Sequence, residues 1–224
     1  MNIDVSIIIT NYNRDIYLGR CIRSCLKQSM DRGRYEVIVV DDASTDESKS
    51  VIKEFEKDIV PIYLGENIGV AGASNVGIKR AMGSLIIRVD SDDFINEHTL
   101  LIMTEIMLSN KEIGFTYPDY LLVDNTEKFI SRQNINTIEE LYKHGAGVMF
   151  RKTNLEAIGL YDETLRHADD YDLLVRYLRN FDGYHLKLPL YRYTQHKGNM
   201  TKDVGERTKF RRLVEKKNKL TTKL

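Results

Sequence analysis

The chain has 224 residues, and its 33 Lys and Arg residues balance 33 Asp and Glu residues, so the formal net charge is zero. Proteins that coat a nucleic acid need an excess of positive charge to neutralise phosphates, so neutrality argues against a nucleic-acid partner. An apolar share of 42% excludes a disordered chain. The zero conceals a bias, because residues 202–224 hold nine basic and three acidic side chains, whereas residues 1–201 hold 24 and 30.

The apolar runs and the cysteines favour a cytoplasmic protein. The first apolar run, residues 5–9, is too short for a signal peptide, and no run approaches the roughly 18 residues of a membrane span. Cys21 and Cys25 lie four positions apart on a predicted helix, without a second cysteine pair that could complete a zinc site. We therefore expect two reduced thiols in the core.

The first 90 residues alternate β-branched apolar runs with amphipathic segments. This pattern predicts strands at residues 5–10, 36–41, 59–64 and 84–90, with helices at 15–29, 46–57 and 71–82 between them. Strands that alternate with helices are typical of an α/β fold with a Rossmann-like, mostly parallel sheet and helices on both faces. In such a sheet, ligands bind at the carboxyl ends of the strands.

The second half has a different pattern and predicts a smaller lobe. Helices are expected at residues 97–110, 138–143, 153–158 and 170–180, and short strands at 114–117, 120–123, 184–188 and 190–193. The segment 202–224 is expected to be a basic helix or tail. Such a segment suits a membrane surface with anionic lipid or a lipid-linked acceptor, or a solvated helix that packs on the body.

Acidic side chains follow two of the predicted parallel strands. Asp90, Asp92 and Asp93 stand within four residues, and such carboxylates repel one another unless a cation lies between them. Mg²⁺ and Mn²⁺ prefer oxygen ligands and often bridge carboxylates to phosphates. A solvated acidic turn before a helix is the alternative. Asp42, after another strand, could accept a hydrogen bond from a base or a ribose, or cap the next helix.

Neither common phosphate-binding glycine loop is present in the sequence. The first strand is followed by Asn11-Tyr12-Asn13-Arg14 instead of G-x-G-x-x-G, and no G-x-x-x-x-G-K-[ST] motif occurs. A bound nucleotide would therefore depend on side chains and a metal ion. Tyr12 could stack on its base or simply pack against the strand end.

Two further motifs lie in the second half. Asp169 and Asp170 open a predicted helix, where the helix dipole favours acidic residues, but one of them could serve as a general base for a hydroxyl. His196 follows a predicted strand and could bind a metal ion or be solvated.

Five motifs together resemble the family-2 glycosyltransferases of the GT-A fold, in their order and in their placement at strand ends. They are VSIIITNYNR from residue 5, VIVVDDASTDES from residue 37, NIGVAGASNVG from residue 67, VDSDD from residue 89 and ADDYDLLVRY from residue 168. The resemblance implies one GT-A domain over residues 1–201. Residues 1–93 would bind the nucleotide-sugar and residues 94–201 the acceptor.

The resemblance also implies a reaction and a donor site. A nucleotide-diphospho-sugar, with UDP as the expected nucleotide, would donate its sugar with inversion to a hydroxyl of a glycan or lipid-linked acceptor, in polysaccharide biosynthesis. Thr10 and Tyr12 would line the base pocket, and Asp42 would hydrogen-bond the base. The nucleotide side of the donor site would be shaped by Asn67, Gly69 and Asn75.

Metal and catalytic roles follow from the same resemblance. Asp90 would lie near the ribose, while Asp92, completed by His196, would bind Mn²⁺ or Mg²⁺. Asp170 matches the usual base, and Asp169 stands where Glu is commoner.

The residue at position 74 departs from the pattern of these enzymes, and the residue at position 88 is charged within an apolar strand. Ser74 stands where these enzymes often have Arg, so Arg14 or Arg88 could supply the lost contact. Arg88 also interrupts an otherwise apolar strand. A nucleotidyltransferase and a sugar-nucleotide-binding module without activity are the alternative functions.

Overall fold

The computed structural model describes residues 3–142, 145, 147–199 and 204–219. Its strands are β1 (Val5–Asn11), β2 (Tyr35–Asp41), β3 (Val60–Tyr63), β4 (Leu85–Asp90), β5 (Phe94–Ile95), β6 (Phe115–Asp124), β7 (Phe129–Gln133), β8 (Met149–Arg151) and β9 (Gly183–Gln195). Its helices are α1 (Asp15–Leu26), α2 (Ser48–Glu54), α3 (Gly69–Arg80), α4 (Thr99–Ser109), α5 (Ile138–Leu141), α6 (Lys152–Ala157), α7 (Asp169–Tyr177) and α8 (Val204–Lys217).

The described strands form one sheet in the order β3-β2-β1-β4-β8-β6-β9-β5, and β7 pairs with the later residues of β6, outside this order. The pairs β1–β2, β1–β4 and β2–β3 are parallel, as is β6–β9. β8 joins the two halves because it pairs antiparallel with both β4 and β6. The predicted α/β class is confirmed, and the carboxyl ends of β1, β2 and β4 meet at one edge.

The sheet separates two layers of core side chains. On β1, Ile7 and Ile9 pack in one cluster with residues of α1, α2 and α4, whereas Ile8 packs in the other with residues of α3, α6 and α7. Alternate residues of a strand point to opposite faces, so this apolar run serves both layers. Cys21 and Cys25 are buried and free in the first cluster, as expected.

We expect Ile8→Ala to lower the free energy of unfolding by about 2–5 kcal/mol, because it opens a cavity in a closely packed layer. Ile8 is 1% exposed, and a Cβ added at Gly77 of α3 would lie 2.6 Å from its Cγ2 atom. Ile16→Ala is the matched control, since Ile16 is 79% exposed and the same change should cost less than about 0.5 kcal/mol. Equal losses for both variants in urea denaturation would contradict this packing.

The second lobe differs from the prediction in its strands. The four short strands expected there are two long ones, β6 and β9, which continue through Pro118 and Pro189. The register between them shifts on both sides of Asp119. Proline lacks the N–H that a ladder needs, so it breaks the hydrogen-bonding pattern locally without ending the strand. β5, β7 and β8 are absent from the prediction because each has five residues or fewer and a weak local pattern.

The basic segment forms a helix that packs on the second lobe. Val214 of α8 is buried against Leu165, Tyr171 and Val175. The amide of Asn218 donates to Asp172 at 3.1 Å. Residues 202–203 and 220–224 of the predicted tail lie outside the described residues. Among the described helices, none combines the length and the apolar character that crossing a bilayer requires.

Candidate functional site

A cavity of about 770 Å³ opens at the edge where β1, β2 and β4 end, and the start of α7 and one side of α8 also border it. Nine of the residues selected from the sequence line it, although they come from five separate segments. They are Thr10, Tyr12, Asp42, Asn67, Gly69, Asp90, Asp92, Asp169 and Asp170.

Asp42 fixes the loop that leads into α3. Its two carboxylate oxygens accept hydrogen bonds from the backbone N–H groups of Ile68 and Gly69, both at 2.8 Å, and the side-chain amide of Asn67 donates to its carbonyl at 3.2 Å. Gly69 has φ +86°, and a Cβ there would lie 2.6 Å from Nη1 of Arg166. The positive φ therefore favours glycine at this position, where Arg166 packs directly against the backbone.

Asn75 is not among the residues that line the cavity. It is 3% exposed, and its amide donates to the carbonyl of Tyr161 at 2.9 Å and to Glu163 at 2.8 Å. Its side-chain oxygen accepts the N–H of Tyr161 at 3.0 Å. Asn75 thus anchors the segment before α7 to α3. The neighbouring Ser74 donates to the carbonyl of Val70 at 2.7 Å within α3.

The acidic run after β4 divides into partly exposed and fully buried members. Asp92 lies 2.8 Å from Nε2 of His196 and accepts a 3.4 Å hydrogen bond from Nε of Arg14. Burial raises the pKa of Asp92, but its hydrogen bond to His196 and the charges of His196 and Arg14 outweigh burial, so the pKa is lowered. Asp92 is therefore ionised at neutral pH.

Asp93 has a structural environment instead. It is fully buried, and its oxygens accept the backbone N–H of Thr194 and the hydroxyl of Tyr191, both at 2.8 Å. Burial, followed by the charges of Asp92 and Asp90, raises its pKa well above the usual range. Asp93 joins β9 to the end of β4 and does not line the cavity.

Asp92 and His196 fit a divalent cation in the chemistry of their donor atoms. The Asp92 carboxylate lines the cavity, and an imidazole nitrogen from a position 104 residues away lies 2.8 Å from it, although His196 is not itself among the lining residues. Nε2 of His196 lies 2.8 Å from Oδ2 of Asp92, so it is the ring nitrogen that would face a cation held by that carboxylate. Across the described ranges, no group of three or more His, Cys, Asp or Glu residues is arranged to hold a metal ion unaided.

Arg88 is buried among three carboxylates. Its Nη2 donates to Asp170 at 2.7 Å, its Nη1 donates to Asp169 at 3.1 Å, and its Nε lies 3.3 Å from Asp90. Its guanidinium carbon also lies 5.3 Å from the centre of the Tyr161 ring. A charge in a buried strand needs counter-charges, and two of those of Arg88 lie on α7, 81 and 82 residues later in the chain.

The two acidic residues of α7 differ in access to the cavity. The Asp170 side chain is 24% exposed and that of Asp169 is 10% exposed. Burial raises the pKa of Asp170 to about 7, Arg88 opposes this, and the charges of Asp169 and Asp90 add to it. A carboxyl group with such a pKa can accept a proton from a substrate near neutral pH.

The backbone is strained beside several of these residues. Asn13, Ala43 and Ala168 have φ angles of +51°, +61° and +61°, in the left-handed region that residues other than glycine rarely adopt. Each lies within one residue of a side chain that lines the cavity, namely Tyr12, Asp42 or Asp169. Such strain is concentrated at functional sites, where the surrounding structure holds it in place.

Several residues of the cavity wall were absent from the sequence prediction. They are Tyr142, Arg166, Tyr171 and Arg211. Arg211 of α8 stacks over Tyr171, with 4.7 Å between its guanidinium carbon and the ring centre. No local pattern marks these positions, because contacts between segments far apart in the chain bring them to the cavity. The sequence did mark Arg88, because it is a charged residue within an otherwise apolar strand.

Comparisons with known proteins agree with this architecture. Residues 6–159 match the family model described as glycosyl transferase family 2. An Escherichia coli protein, UDP-Glc:alpha-D-GlcNAc-diphosphoundecaprenol beta-1,3-glucosyltransferase WfgD, is 30% identical over 180 residues, which cover 79% of this chain and 70% of that protein. The chain spans from 40% to 70% of the length of six relatives that match more than half of it.

Two solved structures show the same fold. Residues 1–349 of S. aureus TarS, in complex with UDP-GlcNAc, superpose with a TM-score of 0.82 and 21% identity over 99% of this chain and 68% of that one. The mannosyltransferase PcManGT from Pyrobaculum calidifontis, in complex with GDP-Man and Mn²⁺, gives a TM-score of 0.72 and 18% identity over 89% and 59%. From the family model, the WfgD relative and this GT-A fold, we conclude that the chain belongs to glycosyl transferase family 2.

Proposed function

We propose that this chain is an inverting, metal-dependent glycosyltransferase that moves a sugar from a nucleotide-diphospho-sugar, a UDP-sugar, to a hydroxyl of a glycan or lipid-linked acceptor in polysaccharide biosynthesis. The observation that carries the proposal is the meeting of two acidic pairs, Asp90 with Asp92 and Asp169 with Asp170, in one cavity. The named substrates of the E. coli relative and the UDP-GlcNAc bound to TarS support this donor and acceptor.

The donor nucleotide would lie over the ends of β1 and β2. Thr10, Tyr12 and Asp42 line that part of the cavity, and Tyr12 is 46% exposed, as a ring that stacks on a base must be. The backbone N–H groups of residues 68 and 69 hold the Asp42 carboxylate, so it would present its remaining acceptor capacity in a fixed direction. Asp90 would accept hydrogen bonds from the ribose.

Asp92 and His196 would hold Mn²⁺ or Mg²⁺, with phosphate oxygens of the donor as further ligands. When bound, the cation offsets the negative charge that develops on the departing nucleoside diphosphate. Arg14, which donates to Asp92, lies beside the same part of the cavity and would add positive charge there.

Asp170 would act as the general base. Its carboxylate takes the proton from the acceptor hydroxyl as that oxygen forms a bond to the anomeric carbon. The bond between that carbon and the diphosphate oxygen breaks in the same displacement, so the configuration inverts. Asp170 suits this role better than Asp169, whose side chain is more deeply buried.

A cytoplasmic protein that works beside the membrane would suit a lipid-linked acceptor. Lys209, Arg212 and Lys216 are exposed on α8, with Leu213 50% exposed among them. Basic side chains around an apolar one favour an anionic lipid surface. Sedimentation with anionic liposomes at low and high salt tests this contact, and an absence of binding at both salt concentrations contradicts it.

The proposal is tested with a panel of sugar nucleotides, Mn²⁺ and glycan or lipid-diphosphate acceptors. We expect acceptor-dependent release of nucleoside diphosphate, and an NMR spectrum of the product that shows the inverted anomer. Pyrophosphate release from a nucleoside triphosphate and a sugar phosphate would indicate a nucleotidyltransferase instead. Tight binding without turnover across the panel would indicate a binding module.

A further inference from the structure

Arg88 brings one positive charge to three negative ones at the junction of the two halves of the site. It lies on β4, two residues before Asp90, and its contacts with Asp169 and Asp170 span 81 and 82 residues of sequence. Arg88 is 7% exposed, so neither water nor salt screens these contacts strongly. The proposed donor side and the proposed base are therefore connected through one side chain.

The guanidinium group of Arg88 does not contact its three carboxylates equally. Nη2 makes the shortest contact, at 2.7 Å with Oδ2 of Asp170, and Nη1 donates to Asp169 at 3.1 Å. Nε has no acceptor in good hydrogen-bond geometry among the described residues, although Oδ1 of Asp90 lies 3.3 Å away. The second oxygen of Asp170, Oδ1, accepts a longer hydrogen bond, at 3.4 Å, from the hydroxyl of Tyr161.

The groups that face Asp170 come from four parts of the chain. Arg88 and Asp90 come from β4, Asp169 from α7 itself, and Tyr161 from the segment before α7. Arg211 of α8 lines the same cavity. Three carboxylates against one buried cation leave an excess of negative charge, so the loss of Arg88 would remove the nearest compensation that Asp170 has.

We infer that Arg88 is a positioning residue for the base: it fixes Oδ2 of Asp170, leaves Oδ1 for the acceptor hydroxyl, and holds the carboxylate in the form that accepts a proton. The inference rests on the proposed function, because Asp170 is a base only if the chain transfers a sugar to a hydroxyl. The effect of the Arg88 charge on Asp170 does not depend on any substrate. Arg88 acts through Asp170, because its guanidinium group is anchored by Nη1 on Asp169 while Nη2 holds Oδ2 of Asp170 and so restricts how that side chain can rotate.

Two substitutions should move the titration of Asp170 in opposite directions. Arg88→Met removes an attractive charge, so the apparent pKa of Asp170 should rise by roughly one to three pH units. Asp169→Asn removes a repulsive charge, so the apparent pKa should fall. Arg88→Lys keeps the charge but loses the fork, so the titration should stay closer to the wild type while the rate still falls.

The titration is measured first in the free protein, without donor or acceptor. Carbon-13 NMR of protein labelled at the aspartate carboxyl groups follows each signal with pH, and the signal missing from Asp170→Asn identifies residue 170. Arg132→Met is the matched control, because Arg132 also pairs with a carboxylate, that of Asp119, at 2.7 Å but does not line the cavity. It should leave the titration of Asp170 unchanged.

The rate is measured second, as pH profiles of kcat with the donor and acceptor found in the screen. Arg88→Met should shift the profile to higher pH and lower kcat at pH 7, while the affinity for UDP, measured by calorimetry, changes by less than about threefold. A lower kcat of Arg88→Met without a shift of its pH profile would overturn the inference. A loss of UDP affinity as large as the loss of kcat would overturn it as well.

Other variants and the NMR titration test the inference if Arg88→Met does not fold or if no donor is turned over. If Arg88→Met does not fold, as judged by circular dichroism, Arg88→Lys and Asp169→Asn carry the test. An unchanged Asp170 titration in Asp169→Asn, together with an unchanged rate in Arg88→Lys, then contradicts it. If no donor is turned over by the wild type, the proposed function fails. The NMR titration then still decides the electrostatic part, because it uses no substrate.

Discussion

Asp170→Asn should lower kcat by roughly 10²–10⁴-fold and leave the affinity for UDP nearly unchanged. The amide keeps the shape of the carboxylate and can still accept the hydrogen bond from Nη2 of Arg88, but it cannot take a proton from an acceptor hydroxyl. The measurement combines steady-state transfer kinetics with calorimetry of UDP. A drop of less than about tenfold would mean that Asp170 is not the base.

A matched control separates chemistry from general disturbance. Asp124→Asn replaces an aspartate of the β6–β7 turn, whose carboxylate accepts local hydrogen bonds from Thr126 and Lys128 and does not line the cavity. Transfer by this variant should stay within about twofold of the wild type, because no group near the reacting atoms changes.

Asp170→Asn should also change how the stability of the protein depends on pH. The pKa of Asp170 is raised from its ordinary value of 3.8 to about 7, so the folded protein binds more protons than the unfolded chain between these values. The contribution of Asp170 to stability is therefore present below about pH 4 and lost as pH rises through about 7. Asp170→Asn should flatten that decline in urea denaturation, whereas an unchanged profile would contradict the raised pKa.

Asp92→Asn should lower kcat/KM by roughly 10²–10³-fold, equivalent to several kcal/mol of lost charge stabilisation. Asp92 has an ionised carboxylate beside His196, and an amide is a weaker ligand for a divalent cation. Calorimetry of UDP binding tests the metal site without measuring turnover. Mn²⁺ should increase the affinity of the wild type for UDP and have little effect on that of Asp92→Asn.

Asp93→Asn is the control for this substitution, one residue away. Asp93 lies outside the cavity and burial raises its pKa well above the usual range, so a neutral amide can take the place of its carboxyl group in the contacts with Thr194 and Tyr191. The Mn²⁺ effect on UDP binding should persist in this variant. Its loss in Asp93→Asn but not in Asp92→Asn would reverse the proposed roles.

The N-terminal half was predicted well because its signals are local. The β-branched runs of β1 and β2 are apolar on both faces, and the carboxylates follow directly where these strands and β4 end. Helix ends were less accurate. α2 begins at Ser48, not at residue 46, because a carboxylate oxygen of Asp46 accepts the N–H of Ser48 and so precedes the helix.

The contacts of Asn75 show what a motif leaves open. The sequence places it three residues from Gly72, on the helix that follows a cavity loop, but the helix turns its side chain away from the cavity towards Tyr161 and Glu163. The difference depends on which face of α3 meets the second lobe. That face is set by packing between segments 86 and 88 residues apart, which no local pattern contains.

The sequence by itself determined the fold class, the edge of the sheet where carboxylates gather, and both acidic pairs, because residue type and strand period are local properties. Only the tertiary structure decided which aspartate of α7 is the more exposed to the cavity, what neutralises Arg88, and that α8 completes the wall. These features depend on distances between residues far apart in the chain. They arise when β8 joins the two halves of the sheet and brings α7 to the end of β4.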